Sequence, residues 1–233
     1  MIQPLLQQSP LAFASWSGGK DSCLAVWRAK RMGLDVRALL TMFDERGERS
    51  RSHGLKPDII QAQAAAMQME YIQGRASWQN YEPQFVGHLH DLRKRGFTAG
   101  VFGDIDLQPH RDWEEKVCAQ ADVAVHLPLW QQSRRELVEE FWRLGFKALV
   151  VCTDSRFLTA RYCGREFDPA YVDSLPAGVD ACGENGEFHT VVYDGPLFKN
   201  PLNLKVLGLE EYVSAPEFGS MAYTFARVGL LSL

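Results

Sequence analysis

Short continuous apolar runs and longer segments carrying a single apolar stripe take turns along the first two-thirds of this chain, and that alternation sets the fold class. The runs at residues 11–16, 36–43, 70–73, 99–103, 123–126 and 147–153 have the length and composition of strands covered on both faces. Residues 21–32, 57–69, 81–95, 111–120 and 134–144 read as helices. In the first helix Cys23, Leu24, Val26 and Trp27 form the stripe and Gly33 supplies a stop. Pro57 suits a first helical turn, and Gly96 and Gly145 suit helix ends. Strands alternating with helices imply right-handed crossovers and an α/β fold, a doubly wound parallel sheet with its ligand at the strands' carboxyl ends.

After Thr153 the texture changes. Residues 161–176 are polar and broken by Gly164, Pro169 and Pro176, which implies short helices in irregular chain. Phe188, Thr190, Val191, Val192 and Tyr193 then read as a strand, Asp194-Gly195-Pro196 as a turn, and the runs at 202–207 and 222–230 as an antiparallel pair. A smaller C-terminal α+β region is therefore expected, dividing the chain into residues 1–135 and 136–233. No internal repeat is visible.

Where the first strand turns into the first helix stands Ser17-Gly18-Gly19-Lys20-Asp21-Ser22. Two glycines let the backbone approach an anion, the helix offers unpaired amides, and Lys20, Ser17 and Ser22 add charge and hydroxyls: a phosphate cradle. It is not a Walker A loop, which needs glycine where this chain has Ala14 and Ser or Thr where it has Asp21. Nor is it a Rossmann fingerprint, whose second glycine is here Lys20. A second cluster, Gly103-Asp104-Ile105-Asp106 followed by His110, Arg111, Asp112 and Glu114, brings acids to a strand's carboxyl end. A carboxylate there can hold Mg2+ or orient a reacting group, while Asp112 and Glu114 equally suit a helix N-terminus. The third cluster, Asp180 to Thr190, gathers Glu184, Asn185 and Glu187 around Gly183 and Gly186. Such a loop can present acceptors, a base or a metal ligand; it is also an ordinary surface turn. His53, in the basic loop after the second strand, reads either as a nucleotide or substrate contact or as part of a solvated loop.

Composition narrows the field modestly. The 233 residues are 46% hydrophobic, enough for a sizeable core, and 25 basic against 29 acidic residues give a net charge of -4. No nucleic-acid partner is expected from that balance, and no membrane partner from a chain without a long apolar run. A soluble, cytoplasmic protein follows. Five cysteines without a C-x-x-C pair argue against a disulfide framework or structural zinc, and Cys182 alone lies near candidate chemistry. His88, His90 and His126 lack zinc-ligand spacing, and Arg156, Arg161 and Arg165 fit either an anionic substrate or an exposed surface.

The hexapeptide at 17–22 resembles the SGGxDS signature of the PP-loop ATP pyrophosphatases, adenine-nucleotide alpha-hydrolases of the HUP type that split ATP into AMP and pyrophosphate. Together with Gly103-Asp104-Ile105, Pro128-Leu129-Trp130 and the G-E-x-G-E sequence Gly183-Glu184-Asn185-Gly186-Glu187, it makes residues 11–198 resemble the diphthine-ammonia ligase family. Archaeal and eukaryotic members amidate diphthine, a modified histidine of translation elongation factor 2. This chain is similar to the bacterial relatives, which have no such target.

The resemblance implies an ATP-dependent C–N ligase that uses ATP and Mg2+, ammonia, and a small-molecule or protein-borne carboxylate. Adenine would lie near Ala14, Ser15, Met42 and Phe43, with His53 and Gly103 beside the nucleotide. Phosphates would rest on Ser17, Gly18, Gly19, Lys20, Asp21 and Ser22, and Mg2+ on Asp21 and Asp104. Gly183, Glu184, Asn185, Gly186, Glu187 and His189 would bind the acceptor or ammonia. Lys20, Asp21, Asp104 and Glu187 would be the catalytic residues. The carboxylate attacks the α-phosphorus, pyrophosphate leaves, and ammonia displaces AMP from the acyl-adenylate. Two other classes stay open: a PP-loop sulfur transferase or RNA-modifying enzyme with Cys182 or Cys163 carrying sulfur, and a regulatory protein that holds ATP without chemistry. The missing C-x-x-C and basic bias count against the former. A homodimer also stays open.

Overall fold

The first apolar run becomes β1 (Leu11–Ser15), and in the computed structural model, which describes residues 9–51, 53–214 and 219–231, it is the middle strand of a parallel sheet. Its neighbours are β2 (Asp35–Phe43) and β3 (Glu70–Arg75) on one side, β4 (Ala99–Val101) and β5 (Ala124–His126) on the other, in the order β3-β2-β1-β4-β5. The connections are α1 (Lys20–Arg31), α2 (Pro57–Ala66), α3 (Tyr81–Lys94) and α4 (Gln108–Gln120). Strand alternation sends Ala12 and Ala14 to the face shared with Leu24 and Val26 of α1 and Ile59 and Ile60 of α2. Phe13 and Leu40 point the other way, against Phe85 and Leu89 of α3 and Val117 of α4. With helices on both faces, the sheet is doubly wound as expected. Chain order reverses between β1 and β4, so the crevice beyond their carboxyl ends is the topological switch point, where open α/β sheets bind ligands.

α1 has charges that match its dipole, Asp21 in the first turn and Arg28, Lys30 and Arg31 in the last. α4 starts three residues earlier than the pattern suggests, because Pro109 takes up a first-turn position and needs no amide partner there. α5 (Arg134–Arg143) then leads to β6 (Lys147–Asp154).

β6 corrects the expectation drawn from its sequence. Instead of extending the parallel sheet it joins a second, antiparallel one with β7 (Phe188–Asp194), β8 (Leu204–Val213) and β9 (Ala222–Leu230), in the order β7-β6-β9-β8. A continuous apolar run reports burial on both faces; it says nothing about the direction of the neighbours. The β8–β9 pair is antiparallel as expected, and the short α6 (Pro169–Asp173) lies in the proline-broken segment.

Close approach fastens β4 to α1. A Cβ on Gly103, just past β4, would lie 2.8 Å from Ser22 N and 3.0 Å from Asp21 C, both backbone atoms of the first turn of α1. Only glycine lets the strand end and the helix N-terminus meet there. Across the two sheets, the Val192 N–H of β7 donates to Gly18 O at 2.9 Å, and Lys199 N–H to Ala66 O at 2.8 Å.

Candidate active site

A cleft of about 490 Å3 opens at the switch point. Its walls bring together Ser15, Ser17, Lys20, Asp21 and Ser22 from β1 and α1, Met42 and His53 from β2 and the loop after it, and Gly103 and Asp104 from the end of β4. Gly183, Glu184, Asn185, Gly186 and His189 reach it from the second sheet. Ala14 and Phe43 do not line it; both side chains are wholly buried in the core.

The loop before α1 is held by protein contacts. Gly18 takes a φ of +86°, and a Cβ on Gly19 would stand 2.6 Å from His53 Nε2, so both glycines are required by their surroundings. Two amides expected to face an anion are already engaged: Gly19 N–H donates to Ser17 Oγ at 3.2 Å and Lys20 N–H to Thr190 Oγ1 at 3.0 Å. Gln63, fully buried on α2, ties the loop to both sheets. Its Nε2 donates to Gly18 O at 2.9 Å and Val192 O at 2.7 Å, and its Oε1 accepts from Trp16 Nε1 at 2.9 Å.

Lys20 is buried, and its Nζ donates to Asp21 Oδ2 at 2.6 Å. Burial works against the ammonium, but Asp21, Cys182 and Glu184 outweigh it and raise the pKa above the usual lysine range. The charge is therefore fixed in place. The rings of Phe167 and Phe188 lie 6.0 and 5.9 Å away and keep water from it.

Opposite Lys20, Glu184 is pushed up to about 7 by burial and by Asp21 and Asp104, against the pull of Lys20 and Arg134. A carboxyl that titrates there can exchange protons at neutral pH. Asp104 is kept below its ordinary value despite burial, because His110 and Glu114 hydrogen-bond to it; His110 Nδ1 lies 2.7 Å from Asp104 Oδ1. Glu114, buried on α4, is pushed up to about 10 by burial and by Asp104, so it carries a proton. His53 and His189 pack with ring centroids 4.6 Å apart and planes tilted by 40°, and burial with the nearby Lys20 charge depresses both, His189 to about 4. Two neutral imidazoles thus stand over the loop.

Glu187 has another place. Its Oε1 accepts from Asp180 N–H at 3.2 Å and Asn185 Nδ2 at 3.0 Å, its Oε2 from Asn185 N–H at 3.0 Å, and it lies beneath the cleft wall. The carboxylate shapes the loop that presents Glu184. Arg134, at the start of α5, pins the same loop, donating to Asp106 at 2.7 Å, Asp180 at 2.8 Å and Asn185 at 3.3 Å.

Several of these residues carried a weak sequence signal. Gln63 interrupts the apolar stripe Ile59, Ile60 and Ala64, and Arg134 puts a cation at a helix N-terminus, where the dipole disfavours it. Arg51, from the basic loop around His53, also lines the cleft, as do Tyr81 and Leu107, which carried no signal.

Comparison with known proteins shows the family. Residues 11–125 match the family described as diphthamide synthase N-terminal domain, and residues 133–217 the one described as diphthamide synthase C-terminal domain. A diphthine–ammonia ligase of Schizosaccharomyces pombe is 28% identical over 211 residues, which are 81% of this chain and 35% of that protein, so the chain spans about a third of that relative's length. The mouse and human diphthine–ammonia ligases are each 26% identical, covering 89% of this chain and 87% of their own. Among solved structures, a predicted subunit of tRNA methyltransferase from Methanocaldococcus jannaschii aligns with a TM-score of 0.39 at 14% identity, over 65% of this chain and 81% of that one. A likeness that low carries no argument about function.

Proposed function

This chain belongs to the diphthamide synthase family, and from that premise we propose that it is an ATP-dependent amide ligase that adenylates an acceptor carboxylate, releasing pyrophosphate, and then transfers ammonia, releasing AMP. One observation carries the reading: Lys20 after β1, Asp104 after β4 and Glu184 from the second sheet face a single cleft of nucleotide size. In this reading residues 1–135 serve the nucleotide and residues 136–233 the acceptor, with diphthine, the substrate in the relatives' names, as the first acceptor to test.

Each residue then has a physical task. A phosphate entering the cleft replaces Asp21 as the counter-ion of Lys20, and the buried ammonium stabilises the charge that gathers on the departing pyrophosphate. Asp21 and Asp104, which line the same cleft, are the carboxylates this reading assigns to Mg2+, an ion that takes one or two protein carboxylates and completes its shell with phosphate oxygens and water. Bound there, the ion would neutralise phosphate charge. No group of three or more His, Cys, Asp or Glu placed to hold a metal is present among the described residues, so phosphate oxygens have to supply the balance. Glu184, ionised above about pH 7, accepts the proton that ammonium must lose before its nitrogen attacks. Glu187 is a positioning residue, acting through the backbone of the Glu184 loop.

The sulfur-transfer alternative loses its chemistry. Cys182 and Cys163 are buried, and burial raises both thiols, Cys163 to about 11, whereas a sulfur carrier needs an accessible thiolate. Among the described residues no helix is long and apolar enough to cross a membrane, and the five cysteines are free thiols.

The test is direct. Protein incubated with ATP, Mg2+, ammonium and diphthine should release pyrophosphate and AMP in step with amide, and Lys20→Ala should cut turnover on the order of 10²-fold or more with its circular dichroism unchanged. ADP as the product, or ATP binding without turnover on diphthine and a panel of carboxylic acids, would sink the reading.

A further inference from the structure

β8 is the outer strand of the second sheet, and among the described residues no strand pairs with its free edge. A ten-residue strand with open amides and carbonyls is a template for another strand. The side chains around it are unusually apolar. Of the nine large hydrophobic residues exposed among the described residues, Leu207, Leu209, Tyr212, Val213, Leu230 and Leu231 all lie on this hairpin or directly after it. Val213 is 60% exposed, Leu207 55% and Tyr212 54%. Single exposed hydrophobics need no explanation, but a concentration on one ribbon marks a contact surface. The ribbon is also thinly supported. β9 pairs with β6 only at residues 223–225, so along the rest of the hairpin β9 has only β8 beside it, and the ribbon is held to the protein by Leu204, Val206 and Val228 on the core.

The strand is complementary to its own reverse. Lys205 lies near its start, and Glu210 and Glu211 lie towards its end. The bulge between Val206 and Gly208 shifts the alternation, so Val206 and Leu209 share the face of Val228 and Ala226, while Lys205 and Glu210 share the face of Gly229 and Phe225. Set antiparallel to a second copy with Lys205 opposite Glu210, the strand also places Val206 opposite Leu209, so the charged pair and the apolar pair at its centre form together, with Leu204 opposite Glu211 beyond them. A slip of one residue would set an apolar face against a polar one.

We propose that two copies of this chain associate through the free edges of β8, antiparallel about a two-fold axis, with Lys205 of each opposite Glu210 of the other. The two four-stranded sheets then become one continuous sheet, and each cross-strand pair occurs twice. Glu210 already accepts from the exposed Arg49 and Arg227, at 3.2 and 3.1 Å, and its neighbour Glu211 keeps that end of the strand acidic.

Light scattering on the full chain should give twice the 26.3 kDa of one copy. Lys205→Glu and Glu210→Lys each set like charges opposite one another at both pairs, and each should raise the dimer dissociation constant by about tenfold or more. Mixing the two variants restores opposite charges at both pairs, so the mixture should dimerise where neither variant does alone. Circular dichroism controls for folding, and both changes lie outside the cleft. A wild-type monomer at tens of micromolar, retained dimers in both single variants, or no recovery on mixing would each overturn the proposal; the last two would put any dimer contact, or another occupant, away from this register.

Discussion

Gly103→Ala tests the joint between β4 and α1. The added Cβ would sit 2.8 Å from Ser22 N and 3.0 Å from both Asp21 C and Ser22 Cα. These are atoms of a hydrogen-bonded helix turn, and no rotamer change relieves them. Strand end and helix must part by several tenths of an ångström, an overpacking cost of about 2 kcal/mol, which in a chain of this size lowers Tm by on the order of 5 °C. The same displacement moves Asp104 relative to Asp21 and Lys20. Misplacement of reacting groups is expensive, so pyrophosphate release should fall by about tenfold or more. Gly87→Ala is the matched control: Gly87 lies inside α3, its Cβ would meet nothing within 4 Å, and alanine should stabilise the helix by about 0.5–1 kcal/mol. Thermal melts and turnover assays on both variants decide the matter. Gly103→Ala melting within a degree of wild type with full turnover, or Gly87→Ala falling as far as Gly103→Ala, would refute the close-approach argument.

Gln63→Leu keeps the volume but strips the polar groups that bind Trp16 Nε1, Gly18 O and Val192 O, and should cost about 2–4 kcal/mol in urea unfolding; a loss well under 1 kcal/mol would show that the clamp contributes little. At fixed ammonium, wild-type amide formation should rise as Glu184 ionises and level off above about pH 7, whereas Glu184→Gln, left to free ammonia, should keep rising with nucleotide affinity kept; an unchanged profile removes Glu184 as the base. Glu114 binds its proton in the folded state up to about pH 10 but releases it near 4.5 when unfolded. Its raised folded value means stability present at low pH is lost as pH climbs through that window, at up to about 1.4 kcal/mol per pH unit. Glu114→Gln should therefore gain on wild type from pH 5 to pH 9, and an equal Tm difference at both ends would contradict the protonated carboxyl.

What the sequence disclosed depended on how local the physics was. The loop at Ser17–Ser22 was legible because two glycines between an apolar run and an amphipathic stripe have few other uses, and the strand-end acid Asp104 followed from the parallel sheet. β6 misled because apolar continuity is the same for parallel and antiparallel neighbours. Glu187 was read as a catalytic residue from its company, yet the direction of its carboxylate, into its own loop's amides, is decided by the tertiary fold. Ala14 and Phe43 sit at the right strand ends, but the pleat turns both side chains into the core. The His53–His189 pair joins residues more than a hundred positions apart, which no local pattern encodes.

In the proposed reaction the second sheet does more than bring an acceptor loop to the nucleotide. Thr190 of β7 takes the Lys20 amide, Val192 shares Gly18 O with Gln63, and Cys182 Sγ stands 3.7 Å from Asp21 Oδ1, so the phosphate loop is completed by residues that follow it by more than 150 positions. Phe167 and Phe188 come from the same region and provide the burial that makes the charge of Lys20 count. In water two unit charges about 4 Å apart attract by only about 1 kcal/mol, and that attraction grows several-fold as the surrounding dielectric falls. Taking the second sheet away would therefore expose Lys20, leave its amide without Thr190 and leave Gly18 O without Val192, loosening the loop and weakening the grip on pyrophosphate before any acceptor contact is lost. In the proposed reaction the two halves of the chain would act as one phosphate site, and adenylation should be lost along with amide transfer when residues of β7 are disturbed.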